Sequence, residues 1–162
     1  MGWPLTRHLY RGVTGLAAPF VPILLNRRLA RGKEHPERMA ERLGHPGLPR
    51  PEGRLVWLHG ASVGETMSLL PLIEPLQERG LNVLLTSGTV TSAEIADRRL
   101  PEGAIHQFAP VDAPAAARRF VAHWRPDLVI FAESELWPNL LGEAKRAGAR
   151  LAIVNGRMSV RS

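Results

Sequence analysis

The 162-residue chain contains no cysteine. That absence excludes disulfide staples, thiolate nucleophiles and cysteine-based zinc sites, and it fits a reducing compartment. The chain also lacks G-x-G-x-x-G, the P-loop pattern and G-x-S-x-G, so dinucleotide-binding, NTPase and serine-hydrolase readings have no motif to stand on. A long hydrophobic run is missing too. The uncharged stretch from Gly12 to Leu25 is interrupted by Pro19 and Pro22 and falls short of the roughly 20 apolar residues that cross a bilayer. No small-residue cleavage site follows it, so it does not read as a removable signal peptide. What is present is ordinary for a soluble globular domain, with 44% hydrophobic and 22% charged residues, and the length suits one domain with a sizeable core.

Charge is unevenly spread. Residues 1–50 carry nine Lys/Arg against three Glu, whereas residues 51–162 carry twelve basic and twelve acidic residues. The net charge of +6 therefore belongs to the N-terminal arm. A nucleic-acid binder needs its basic stripe on the folded part, with aromatic partners, so nucleic acid is not the expected partner. An apolar run flanked by Arg7 and Arg11 before and by Arg27, Arg28, Arg31 and Lys33 after points to anionic lipid. Residues 1–30 are expected to form a membrane-associating helix, interfacial or inserted. Packing of this helix on a protein partner or on a further domain is the competing reading. Residues 31–53, polar and rich in Pro and Gly, read as a basic connector with a short helix near 36–43.

From residue 54 onward apolar runs alternate with amphipathic ones. Strands are expected at 54–59, 82–87, 105–108, 127–132 and 150–154, and helices at 65–79, 93–100, 113–124 and 138–147. Near-continuous apolar strands imply a sheet covered on both faces. Repeated β-α units with short links imply an α/β fold with a doubly wound, Rossmann-like parallel sheet over residues 54–162.

Such a sheet gathers its ligand-contacting residues where the strands end. The first strand runs into His59-Gly60-Ala61-Ser62-Val63-Gly64-Glu65, a small-residue turn with a carboxylate opening a helix. The positive end of the helix dipole favours the anion there, the form a general base needs. Ser62 and Glu65 also match the capping box, in which Glu65 only satisfies an amide of its own helix. Both roles stand. The second strand leads into a stretch with hydroxyls at Thr86, Ser87, Thr89, Thr91 and Ser92. The third leads to Asp112, whose place before Ala113-Pro114 suits a helix cap. The fourth leads to Glu133 and Glu135, and the fifth to Asn155-Gly156-Arg157. Paired carboxylates after a buried strand repel each other and lose solvation, which favours a functional role. No histidine accompanies them in a metal-ligand pattern, so no metal is expected. Hydroxyls, carboxylates and an amide on one rim suit a polyhydroxylated ligand such as a sugar. His59 and His106 read as core histidines and Trp124 and Trp137 as core anchors.

Four runs occur in order: His59 to Glu65, Pro110-Val111-Asp112-Ala113-Pro114, Glu133-Ser134-Glu135-Leu136-Trp137-Pro138-Asn139, and Asn155-Gly156-Arg157-Met158-Ser159. With Arg31-Gly32-Lys33-Glu34 and Glu41-Arg42-Leu43-Gly44 before them, they resemble the N-terminal half of the 3-deoxy-D-manno-octulosonic acid (Kdo) transferases of Gram-negative bacteria. The resemblance implies a two-domain (GT-B) glycosyltransferase with no cofactor. It would move Kdo from CMP-Kdo, its donor substrate, to a lipid A precursor in lipopolysaccharide synthesis, at the cytoplasmic face of the inner membrane. Glu65 takes the place of the general base, and Ser62, Gly64, Glu133, Glu135 and Arg157 are expected around the acceptor. At position 60 the family usually has alanine. The resemblance also implies a second, donor-binding domain, which the 162 residues do not include; the expectation is of the acceptor-side half. The alternative is a non-catalytic, membrane-tethered α/β module that binds a glycolipid or a partner protein.

Overall fold

The computed structural model describes residues 5–132 and 137–154. Five strands, β1 (Leu55–Gly60), β2 (Asn82–Ser87), β3 (Ile105–Phe108), β4 (Leu128–Ala132) and β5 (Arg150–Val154), form one sheet in the order β3-β2-β1-β4-β5. Every pairing is parallel, with Trp57 opposite Leu84 and Val129. This is the doubly wound sheet expected from the apolar strand runs. All six β1 residues are buried, and alternate side chains feed opposite layers. Leu55 and Trp57 join Phe120, Trp124, Phe131 and Leu140 on one face, while Val56 and Leu58 join Leu69, Ile73, Leu85 and Ala96 on the other. Trp57 packs tilted against Phe120, with ring centroids 4.7 Å apart, and donates its indole N–H to Thr86 Oγ1 at 2.8 Å.

The helix expected at 65–79 is broken into α4 (Val63–Leu69), a 3₁₀ turn (Leu70–Leu72) and α5 (Ile73–Gln77). Pro71 and Pro75 cause the break, since each removes an amide and crowds the preceding turn. The following helices are α6 (Val90–Arg99), α7 (Pro114–Trp124) and α8 (Pro138–Arg146). α6 begins three residues earlier than its apolar pattern suggests because Thr89 Oγ1 accepts the Ser92 N–H at 3.1 Å and caps it.

Residues 31–53, expected as a connector, form a strap held by ion pairs. It contains a 3₁₀ turn (Pro36–Arg38) and α3 (Met39–Arg42). Arg38 grips Glu41 through two bonds of 2.8 and 2.9 Å, and Glu34 pairs with Arg28 at 2.6 Å and with Arg42 at 3.2 Å. The strap completes the free edge of β3. Glu41 accepts the Phe108 N–H at 2.7 Å, Arg38 donates to the His106 carbonyl at 3.1 Å, and Arg42 donates to the Ala109 carbonyl. An edge strand otherwise exposes these groups to pairing with another chain. Gly44 lets the strap turn onto α7. Its φ is +85°, and a Cβ there would lie 2.2 Å from the Ala116 carbonyl oxygen.

The N-terminal arm folds as α1 (Leu5–Ala17), a 3₁₀ turn at Ala18–Phe20 and α2 (Val21–Ala30). Pro19 and Pro22 sit at the two junctions. Among the described residues no helix is long and apolar enough to cross a membrane.

Two histidines are held neutral, His59 fully buried and His106 partly buried. Burial, with Arg42 nearby, pushes His59 down to about 4 against the opposing Thr86 bond, and burial with Arg38 pushes His106 down to about 3. Arg38 can only donate, so His106 Nδ1 accepts from it at 3.1 Å and Nε2 donates to Ser87 Oγ at 2.9 Å. Because the unfolded chain binds these protons near pH 6.5 and the folded chain does not, stability is complete above that pH. It falls on acidification by up to about 1.4 kcal/mol per pH unit for each imidazole. Urea midpoints at pH 7.5, 5.5 and 4.5 should decline accordingly, with a shallower decline in His106→Gln. Gly44→Ala should lower stability by about 2 kcal/mol or more, from strain at positive φ and overlap with the α7 backbone, read as the urea midpoint at pH 7.5.

Candidate functional site

The sheet order reverses at β1, with β2 on one side and β4 on the other. The crevice outside the carboxyl ends of β1 and β4 is therefore where an open α/β sheet takes its ligand. β1 ends there at Gly60, and α4 returns over it. A Cβ on Gly60 would stand 2.6 Å from the Thr66 nitrogen, so in this chain glycine lets the helix start sit directly on the strand end. The turn leaves Ser62 and Gly64 exposed, with open space around Gly64.

Glu65 lies in this turn and is only 9% exposed. One carboxylate oxygen accepts the Ala61 N–H at 2.8 Å and the other accepts the Ser62 hydroxyl at 3.0 Å, while Ser62 Oγ accepts the Glu65 N–H at 3.3 Å. This is a capping box shifted by one residue, since the usual partner is the amide of the cap residue itself. The carboxylate is folded back onto its own turn, so the capping role is realised. A carboxylate offers about four lone-pair positions, and two of these are engaged.

The other strand ends divide into interior and rim. Thr86, Ser87 and Ser92 are buried, and Thr89 caps α6, so the hydroxyl-rich stretch is mainly structural. Asp112 does not cap α7, whose cap position is Ala113. Instead its two oxygens accept the Asn139 N–H at 3.1 Å and the Leu140 N–H at 2.8 Å, capping α8 across the chain. Burial pushes the Asp112 carboxyl up, against the two amides and the Tyr10 hydroxyl. Tyr10 donates to Asp112 at 3.0 Å and is itself pushed up to about 12, by burial first and then by the Asp112 charge. Asn139 donates to the Asp112 carbonyl at 2.6 Å and to Thr14 Oγ1 at 3.0 Å. Sequence reasoning missed this Tyr10–Thr14–Asp112–Asn139 cluster, because nothing in local spacing joins residues more than 100 positions apart.

Trp137, half-buried, packs edge-on to His59 at 5.5 Å, which ties the start of α8 to the end of β1. His59 Nδ1 lies 2.9 Å from Thr86 Oγ1, and its Nε2 has no partner among the described residues. Glu133, Glu135 and Arg157 lie outside the described residues. Among those described, no cluster of three or more His, Asp or Glu could hold a metal. A groove of about 180 Å³ between Tyr10, Thr14, Val21 and Asp112 opens near the rim. Cavities of about 510 Å³ under the strap and about 800 Å³ at the amino edge of the sheet line up with none of the strand-end residues.

A Rossmann-like domain with a polar rim at its switch point is, in class, a ligand-binding α/β domain. A sequence profile described as 3-deoxy-D-manno-octulosonic-acid transferase (kdotransferase) matches residues 37–162. The chain is 42% identical over 156 residues to a probable mitochondrial 3-deoxy-D-manno-octulosonic acid transferase of Arabidopsis thaliana, covering 95% of this chain and 35% of that protein. It is 40% identical to the enzyme of that name from Rickettsia bellii, covering 95% of this chain and 37% of the other, and 38% identical to that of Bordetella pertussis, covering 94% and 38%. The chain belongs to the Kdo transferase family, a family of glycosyltransferases. It spans about a third of the length of these relatives. A solved hydrogenase domain from Pyrococcus furiosus covers 65% of this chain and 94% of its own at a TM-score of 0.45 and 15% identity, too slight a likeness to bear on function.

Glu65→Gln keeps an oxygen for the Ala61 amide and an NH₂ for Ser62, so its urea midpoint should match the parent within about 0.5 kcal/mol. Glu65→Ala, which removes both bonds, should cost about 1 kcal/mol.

Proposed function

We propose that this chain is the acceptor-side half of a metal-independent glycosyltransferase that moves Kdo from CMP-Kdo to a lipid A precursor at the cytoplasmic face of the inner membrane. The observation that carries this reading is Glu65. It is a carboxylate held by Ala61 and Ser62 at the carboxyl edge of the central strand, in a chain whose relatives bear the name of this transferase. In the reaction a glucosamine hydroxyl of the acceptor loses its proton to Glu65. Its oxygen bonds to the anomeric carbon of Kdo, and the bond from that carbon to the CMP phosphate breaks, with the electron pair leaving on CMP. The two bonds from the turn fix the carboxylate, which supplies orientation before the acceptor arrives. Ser62 and Gly64 line the exposed part of the turn, and Glu133, Glu135 and Arg157 join them in contacting the acceptor. The donor nucleotide is bound by a further domain of the kind the longer relatives carry.

The N-terminal arm supports the membrane part of the reading. Leu5, Leu9, Val13, Leu16 and Phe20 recur at helical spacing and are all exposed, Leu5 at 86% and Leu16 at 80%. Ile23 and Leu24 continue the apolar surface, and Arg27, Arg31 and Lys33 follow it. An exposed apolar stripe with a basic collar suits an interfacial helix on an anionic surface.

Isothermal titration of the chain should show binding of the lipid A precursor and little binding of CMP. Binding of CMP alone would overturn the acceptor-side assignment. In a polypeptide that continues into a donor-binding domain, Glu65→Gln should lower kcat by about 100-fold or more while the fold is kept. Full turnover in that variant would leave Glu65 as a cap only. Deleting residues 1–30 should release the chain from sedimenting anionic vesicles, and high salt should release it only in part.

A further inference from the structure

We propose that Asp112 is a positioning residue that couples α1 to the amino end of α8, so that seating the apolar face of α1 on an anionic lipid surface orders the carboxyl-edge rim. The inference rests on the membrane reading above and goes beyond it by naming the internal link.

Asp112 sits where a cap for α7 is expected, yet both of its oxygens serve α8, 27 and 28 residues further on. They satisfy two of the first amides of that helix, groups that no intrahelical carbonyl can reach. The same carboxylate receives the Tyr10 hydroxyl, and the Asn139 amide bridges the Asp112 carbonyl and Thr14 Oγ1. Arg11 adds an ion pair of 2.8 Å to Glu143, lower on α8. Burial acts against the Glu143 anion, but Arg11 and Arg146 outweigh it and hold its carboxyl below the usual range. The inward face of α1 is thus polar and attached to α8, while its outward face is an apolar stripe.

This division makes the coupling physical. A helix of 13 residues is marginal by itself in water, and each neutral hydrogen bond that docks it contributes only about 0.5–1.5 kcal/mol net. Lipid contact on the outer stripe favours the helical, docked form of α1. Docking places Tyr10 and Thr14 on Asp112 and Asn139, which secures the first turn of α8. Trp137, at the start of that turn, packs on His59 at the end of β1, six residues before Glu65. A ligand that prefers one form shifts the whole linked set toward it.

Hydrogen exchange of the 162-residue chain, with and without vesicles of phosphatidylglycerol and phosphatidylethanolamine, tests this. Vesicle binding is measured in parallel by sedimentation. Bound vesicles should slow exchange of the Asn139 and Leu140 amides by about five-fold or more, the lower end of ordinary coupling energies. The Tyr10→Phe/Thr14→Val double variant keeps the outer stripe, so it should bind vesicles as the parent does and show no such slowing. Tyr10→Phe alone, which removes one hydroxyl from an exposed contact, should show a reduced slowing if the double variant is too unstable to read. A structural role alone would change exchange equally with and without vesicles. Vesicle binding by the parent without slowing, or equal slowing in the variants, would overturn the coupling and leave the membrane reading intact. Failure of the parent to bind vesicles would overturn both.

Discussion

Leu55, Val56, Trp57 and Leu58 put four large apolar side chains in succession on a strand that is flanked on both sides, and both of its faces must be covered. This constraint places the rest of the domain. α4, α5 and α6 lie on one face and α7 and α8 on the other, because a right-handed crossover to either side of β1 can return only in that way. Each fully buried aliphatic side chain contributes about 1.5–3 kcal/mol, so the central strand holds much of the stabilising burial. The same reversal at β1 creates the crevice, which makes the site a by-product of covering the strand.

Beyond the bonds that Trp57 and His59 make to Thr86 inside the core, most of the polar chemistry described lies at its margins. At the β3 edge, Arg38, Glu41 and Arg42 take the part of an absent neighbouring strand by bonding to backbone groups of residues 106–109. Buried ion pairs add little net stability compared with apolar packing, but breaking one leaves an uncompensated charge. Together with their bonds to residues 106–109, these pairs fix the strap along the β3 edge.

On the proposed reading, capping and catalysis share one residue in the turn after β1. The bonds that make Glu65 part of a cap also immobilise its carboxylate, and immobilisation is what a positioned base requires. Asp112 has a similar double character, since it lies in the link from β3 to α7 yet caps α8.

The strand pattern, the parallel sheet, the helix after β1 and its Ser62–Glu65 cap were legible in the residues themselves, because each depends on local periodicity or on a spacing of three. The family was legible for the same reason, as its motifs are short and contiguous. The helix breaks at Pro71 and Pro75 are equally local, but the apolar period runs through both prolines without interruption. The strap's bonds to the β3 backbone, the partner of Asp112 and the link from Tyr10 and Thr14 to Asn139 join positions tens to more than a hundred residues apart. Those contacts were decided only by the tertiary structure, because a side chain's hydrogen-bond partner depends on which elements the packed sheet brings together, and no spacing along the chain records that.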